Sequence, residues 1–222
     1  MKRVKTGFWI LGLGFWMLGL DGFAQADEAQ VLLDNVARNF DKLDHFQVTA
    51  LIKVDVDFIR IKDREVRISY KKPDVFTIES DGLALLPKNG MQMEYLNLIG
   101  KGYTSIISGQ EDVEGVRTTI VKVIPEAELE DIVLAQMWID PVASRIVRMK
   151  TYTKTSGSYV IDFKFRDHPF NLPEQTIVTF DVSAMTIPAK MLSEFAAQGE
   201  KVKETPSAAK VIVQYTNYRV NQ

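Results

Sequence analysis

The sequence predicts a mainly β domain with some helix: a strongly curved antiparallel sheet of about 10–11 strands, covered by an N-terminal helix and a second helix near the C-terminus. Three observations predict it. Short runs alternate apolar with polar residues along most of the chain, turn residues separate those runs at regular intervals, and only two segments repeat at helical spacing. The chain has 222 residues, 46% of them hydrophobic, with 13 Gly and 8 Pro. That composition supports one sizeable core.

In the first helical segment, Ala29, Leu32, Leu33, Val36, Phe40 and Leu43 recur at helical spacing, while Asp34, Arg38, Asp41 and Lys42 fall between them. From Gln47 to Ile59, Val48, Ala50, Ile52, Val54, Val56 and Phe58 alternate with Thr49, Lys53, Asp55 and Asp57; Leu51 alone breaks the pattern. One apolar and one polar face is the mark of an antiparallel strand wetted on one side. Val66, Ile68 and Tyr70 form a second such face, and Phe76 and Ile78 follow Pro73. Further strands are expected at Met91–Tyr95, Gly102–Ser108 and Val116–Ile124, with a turn-rich segment over 109–115. Ile132–Ile139 and Arg145–Thr153 read as a hairpin around Asp140-Pro141. After Ser156-Gly157, Tyr159, Ile161, Phe163 and Phe165 line one side of the next strand, and Thr176–Val182 and Lys210–Val220 complete the set. Between those two, Ile187, Met191, Leu192 and Phe195 mark the second helix, starting near Pro188, a residue suited to a first helical turn.

The first 26 residues read as a secretory leader and residues 27–222 as a single domain. Lys2, Arg3 and Lys5 precede an uncharged apolar run from Gly7 to Leu20, and Ala24-Gln25-Ala26 supplies a small-x-small cleavage pattern. The run is shorter than the roughly 20 apolar residues of a spanning helix. Export, to the periplasm if the source has two membranes, is the expectation. The chain has no Cys, so no disulfide braces the domain and no cysteine is present for lipid attachment. With 27 Lys+Arg against 29 Asp+Glu, the balance argues against nucleic acid.

Signals for catalysis are thin. His45 and His168 are the two histidines, so a metal or thiol centre is not expected, and no Gly-x-Ser-x-Gly elbow occurs. Gly100-Lys101-Gly102 lacks the remaining residues of a phosphate loop, and the acidic stretch over 126–131 lacks calcium-loop spacing. The expectation is a protein that is not an enzyme and needs no cofactor.

A curled sheet under two helices leaves an apolar concavity suited to a greasy ligand. Lys71-Lys72-Pro73-Asp74-Val75-Phe76, between two strands, resembles the Lys-Arg-Pro-x-x-Phe element of the LolA/LolB-like carriers of bacterial lipoproteins. Leu43-Asp44-His45-Phe46, Ser80-Asp81-Gly82, Met137-Trp138-Ile139-Asp140, Phe170-Asn171-Leu172-Pro173 and the closing residues Tyr215 to Asn221 resemble further segments of that superfamily, in the same order. The resemblance implies an incomplete β-barrel whose open side is plugged by helices, with acyl chains held between them. In the family's best-studied branch, the arginine of Lys-Arg-Pro holds the helical lid closed and couples binding to release. Lys72 stands at that position, and lysine lacks arginine's planar fork. Two readings of Lys72 follow: a solvated turn charge, or a stand-in for the lid arginine that reaches a helix or an anionic headgroup.

These observations converge on a monomeric carrier of lipid or lipoprotein acyl chains, loaded and unloaded by membrane-bound donor and acceptor proteins. One chain of roughly 15 methylenes, at about 0.8 kcal/mol each, requires on the order of 12 kcal/mol from the lining. Val48, Ile52, Val54, Phe58, Ile68, Tyr70, Phe76, Tyr159, Ile161, Phe163 and Phe165 are the candidate cavity residues, and Lys72 the candidate gate. The same apolar residues serve equally as ordinary core. The alternative function is an envelope-stress sensor or scaffold that binds a protein partner on the same half-barrel.

Overall fold

The computed structural model describes residues 21–56, 59–60, 63–73, 75–79, 102–126, 132–154, 157–166, 170–181 and 208–221. Phe58, His168, the expected strand at Met91–Tyr95 and the expected helix around Ile187–Phe195 lie outside those residues.

Helix α1 (Asp21–Phe40) leads directly into the sheet, with Arg38 in its last turn, where a cation complements the carbonyl end of the helix. Among the described residues, Ala29, Leu33 and Val36 are its buried side chains. The strands are β1 (His45–Val56), β2 (Ile59–Arg60), β3 (Arg64–Lys71), β4 (Val75–Glu79), β5 (Tyr103–Val113), β6 (Val116–Pro125), β7 (Ile132–Asp140), β8 (Arg145–Thr153), β9 (Ser158–Phe165), β10 (Pro173–Asp181) and β11 (Ala208–Val220). They form one antiparallel sheet in the order β4-β3-β1-β11-β10-β9-β8-β7-β6-β5, with the short β2 paired to β1 beside this path. The sheet is a curved half-barrel and does not close. Among the described strands, β4 and β5 stand at opposite ends of this order.

The strand registers align one apolar row across eight strands. Ile107 pairs with Val121, Val121 with Met137, Met137 with Met149 and Met149 with Ile161. Ile161 then pairs with Val178, Val178 with Val211 and Val211 with Val54. Because side chains alternate faces along each strand, this cross-strand row fixes which face of the sheet is apolar throughout. Ala29, Leu33 and Val36 of α1 pack on it, in one cluster with Val121, Met137, Met149, Ile161 and Val178. Burying Leu33 and Val36 alone contributes about 3–6 kcal/mol to holding the helix down.

The expected turn over 109–115 is mostly strand. β5 runs to Val113, with a register shift between Ile107 and Gly109 that marks a bulge. Gly109, at φ 149°, supplies a backbone conformation that other residues rarely adopt. The reversal is confined to Glu114-Gly115, both at positive φ, where the Gly115 amide donates to Asp112 Oδ1 at 2.8 Å.

Candidate functional site

The candidate lining residues from the N-terminal half gather where α1 leaves the sheet. Val48, Ile52, Ile68 and Tyr70 are buried there with Leu43, Phe46 and Leu172, and Val54, Phe76 and Phe40 pack against them. Val48 pairs with Ile68, and Phe46 with Tyr70, which pairs in turn with Phe76. Ring centroids of Tyr70 lie 5.1 Å from Phe40, 5.5 Å from Phe46 and 4.8 Å from Phe76, so the foot of the helix rests on an aromatic base.

The candidates from β9 divide. Ile161 is buried under α1, and Tyr159 and Phe163 pack against the same cluster. Phe165 packs against Val113, Trp138 and Val147, its ring 6.4 Å from that of Phe163, and it borders a pocket with Val36 and Phe40 of α1. Val211 packs against both larger clusters, which makes the inner face continuous from one to the other.

Lys72 follows β3 and reaches the helix. Its ammonium donates to the Asp41 carbonyl at 2.6 Å, just past the end of α1, and lies 3.9 Å from the Asp44 carboxylate. Its backbone amide donates to the Asp44 carbonyl at 2.8 Å. The peptide bond from Lys72 to Pro73 is cis, and the Tyr70 hydroxyl donates to the Pro73 carbonyl at 3.2 Å. A cation on the last carbonyls of a helix satisfies acceptors that have no partner within the helix. Lys72 thus combines a half-exposed ammonium with a contact to the segment that follows the helix end.

Other clasps on the same hinge carried no recognisable sequence signal of their role. Asn221 Oδ1 accepts from the amides of Asp44 at 2.9 Å and His45 at 3.2 Å, and Nδ2 donates to the Lys42 carbonyl at 3.0 Å. Its φ of 50° is a left-handed conformation that asparagine tolerates. Asn39 donates to the carbonyls of Ala143 and Ser144, both at 3.1 Å, and Asn171 donates to Ala143 at 2.9 Å. The C-terminal end of α1 is therefore tied to β3, β11 and the β7–β8 turn at once. No comparable tie to the helix's N-terminal half is present among the described residues apart from the neighbourhood of Tyr103.

At that opposite end, burial pushes the Tyr103 phenol up, the Gln30 side chain pulls it down, and the Asp34 carboxylate pushes it up further. Burial likewise raises the Tyr215 phenol on β11, against the neighbouring Thr176 hydroxyl. His45 is exposed at the start of β1. Among the described residues no group of three or more His, Cys, Asp or Glu is placed to hold a metal ion, and no helix is long and apolar enough to cross a membrane.

No protein-family model matches the sequence, and no curated protein does. Solved structures do match the fold. A DUF1329 family protein from Desulfovibrio piger superposes with a TM-score of 0.61 at 11% identity, over 89% of this chain and 93% of that one. A domain assigned to outer membrane lipoprotein sorting, from Vibrio parahaemolyticus, gives 0.59 at 11% identity, over 89% and 94%. A LolA superfamily protein from Nitrosomonas europaea gives 0.54 at 12% identity, over 87% and 94%. The chain has a LolA-like fold, as the order of its motifs implied.

Proposed function

We propose that this protein is a soluble, monomeric carrier of the cell envelope that holds acyl chains of a lipid or lipoprotein between α1 and the inner face of the half-barrel. The observation that carries this reading is the eight-strand apolar row from Ile107 to Val54 with one helix laid on it. A sheet that does not close into a barrel can flex beneath a helix, and a helix clasped at one end can swing about that end. Lifting α1 would expose a surface of Val, Ile and Met side chains, the environment an acyl chain needs. Val48, Ile52, Val54, Ile68, Tyr70, Phe76, Tyr159, Ile161 and Phe163 line that inner face, and Lys72 stands at the pivot as gate. The fold shared with a LolA superfamily protein and with a lipoprotein-sorting domain supports the reading. Export, to the periplasm if the source has two membranes, is part of the same proposal and is supported by the leader-like first 26 residues.

The test is native mass spectrometry of the purified protein, before and after delipidation, followed by titration with a fluorescent fatty-acid probe. A mass increment removed by delipidation, and saturable probe binding at a stoichiometry of one, are expected. A protein that carries no lipid and binds no probe, but retains a crosslinked envelope protein, would instead be the sensor or scaffold.

A further inference from the structure

A cavity of about 30 Å³ lies at the C-terminal end of α1, bordered by Val36, Asn39, Phe40, Arg145, Phe165 and Phe170, among others. It adjoins all three apolar clusters: Val36 belongs to the first, Phe40 and Phe170 pack on the second, and Phe165 on the third. Its one charged lining side chain is Arg145, three-quarters buried. The guanidinium lies over the Phe165 ring, 4.5 Å from the centroid. Its Nε atom is buried and has no hydrogen-bond partner among the described residues. Asp140 supplies a counter-charge without supplying that bond. One carboxylate oxygen, Oδ1, accepts the amides of Val142 and Ala143, each at 3.0 Å, while Oδ2 stands 3.5 Å from Arg145 Nε. Nε is turned to Asp140, so what Arg145 can offer the void is the terminal end of its guanidinium, whose fork matches an oxyanion geometrically.

We propose that the Arg145 pocket takes the phosphate of an anionic lipid whose acyl chains lie along the inner face. The void admits one or two phosphate oxygens, and the aromatic walls of Phe40, Phe165 and Phe170 receive the glycerol and first methylenes. Asn39 and Asn171 hold the β7–β8 turn, and so hold Arg145, at a fixed distance from the end of α1. The proposal rests on the acyl-carrier reading for the chains, and on Arg145 alone for the head group.

Calorimetry on the delipidated full chain separates the two. The probes are dioctanoyl phosphatidylglycerol, dioctanoylglycerol and inorganic phosphate, at constant ionic strength. The phosphatidylglycerol is expected to bind at least about tenfold tighter than the neutral lipid, consistent with a charge-assisted bidentate contact. In Asp140→Asn/Arg145→Gln, which removes the fork and its counter-charge together, that preference disappears while affinity for dioctanoylglycerol stays within about twofold. On the unaltered protein, excess inorganic phosphate is expected to weaken binding of phosphatidylglycerol but not of dioctanoylglycerol, a readout that does not depend on the variant folding. Equal affinity of the wild type for both lipids overturns the head-group site and leaves the acyl carrier standing. Binding of neither lipid overturns the carrier. In that case, inorganic phosphate binding lost in the double variant assigns the pocket to free anion, and its absence removes the pocket as a site.

Discussion

Lys72 and Asn221 hold the segment Asp41–His45 from the ends of the two strands that flank β1, one after β3 and one after β11. They differ in what their loss should do. The Lys72 ammonium is half exposed, so Lys72→Ala is expected to lower stability by less than about 1 kcal/mol in urea unfolding. The same change should speed release of a bound acyl probe severalfold in stopped-flow exchange; an unchanged rate would make Lys72 an ordinary turn residue. Asn221→Ala removes three hydrogen bonds to backbone and places alanine at φ 50°, a loss expected to reach about 2–3 kcal/mol in the same urea measurement. Lys72 was legible in the sequence because a lysine before a proline between two strands is an unusual local pattern. The roles of Asn39 and Asn221 were not, because their partners are main-chain groups more than a hundred residues away, and any residue type supplies those.

Burial in the fold alters the titration of the Tyr103 and Tyr215 phenols. Both are raised above 10.0, so the folded state holds its phenolic protons more tightly than the unfolded chain. Their contribution is fully present below pH 10 and is lost as pH climbs through the raised folded values. Melting temperature should therefore fall in that alkaline window, and Tyr215→Phe should flatten part of the fall.

At the level of single elements, α1 is held by a short stripe of buried residues and by its clasped C-terminal end. Leu33 is fully buried at the middle of that stripe. Leu33→Ala is expected to cost about 2–5 kcal/mol by chemical denaturation and to raise binding of a hydrophobic dye, since the helix then covers the sheet less firmly. A similar cost without extra dye binding would mean that the helix is plain core. The strands were legible where apolar residues recur at every second position: β1, β8 and β9 begin or end within a few residues of their sequence-predicted limits, although Leu51 interrupts the pattern in β1. The far half of β5 was obscured by Gly109, because a glycine followed by polar residues reads as a turn when it marks a bulge.

On the scale of the whole molecule, the row from Ile107 to Val54 depends on the pairing of β1 with β11, strands from opposite ends of the domain. Nothing in the local sequence specifies that pairing, since hydrophobic alternation says which residues share a face but not which strand lies beside which. The order of motifs implied an incomplete barrel through resemblance but no strand order, and the matched structures support that fold. The central claim is mechanical: ligand lies between α1 and the row, and the helix lifts about its clasped end. Hydrogen exchange read residue by residue, with and without a saturating fatty-acid probe, tests it most directly. The account predicts faster exchange across the N-terminal half of α1 on loading, unchanged exchange at Asp41–His45, and slower exchange along β6 to β9. Uniform protection of α1 with no change in the sheet would contradict it.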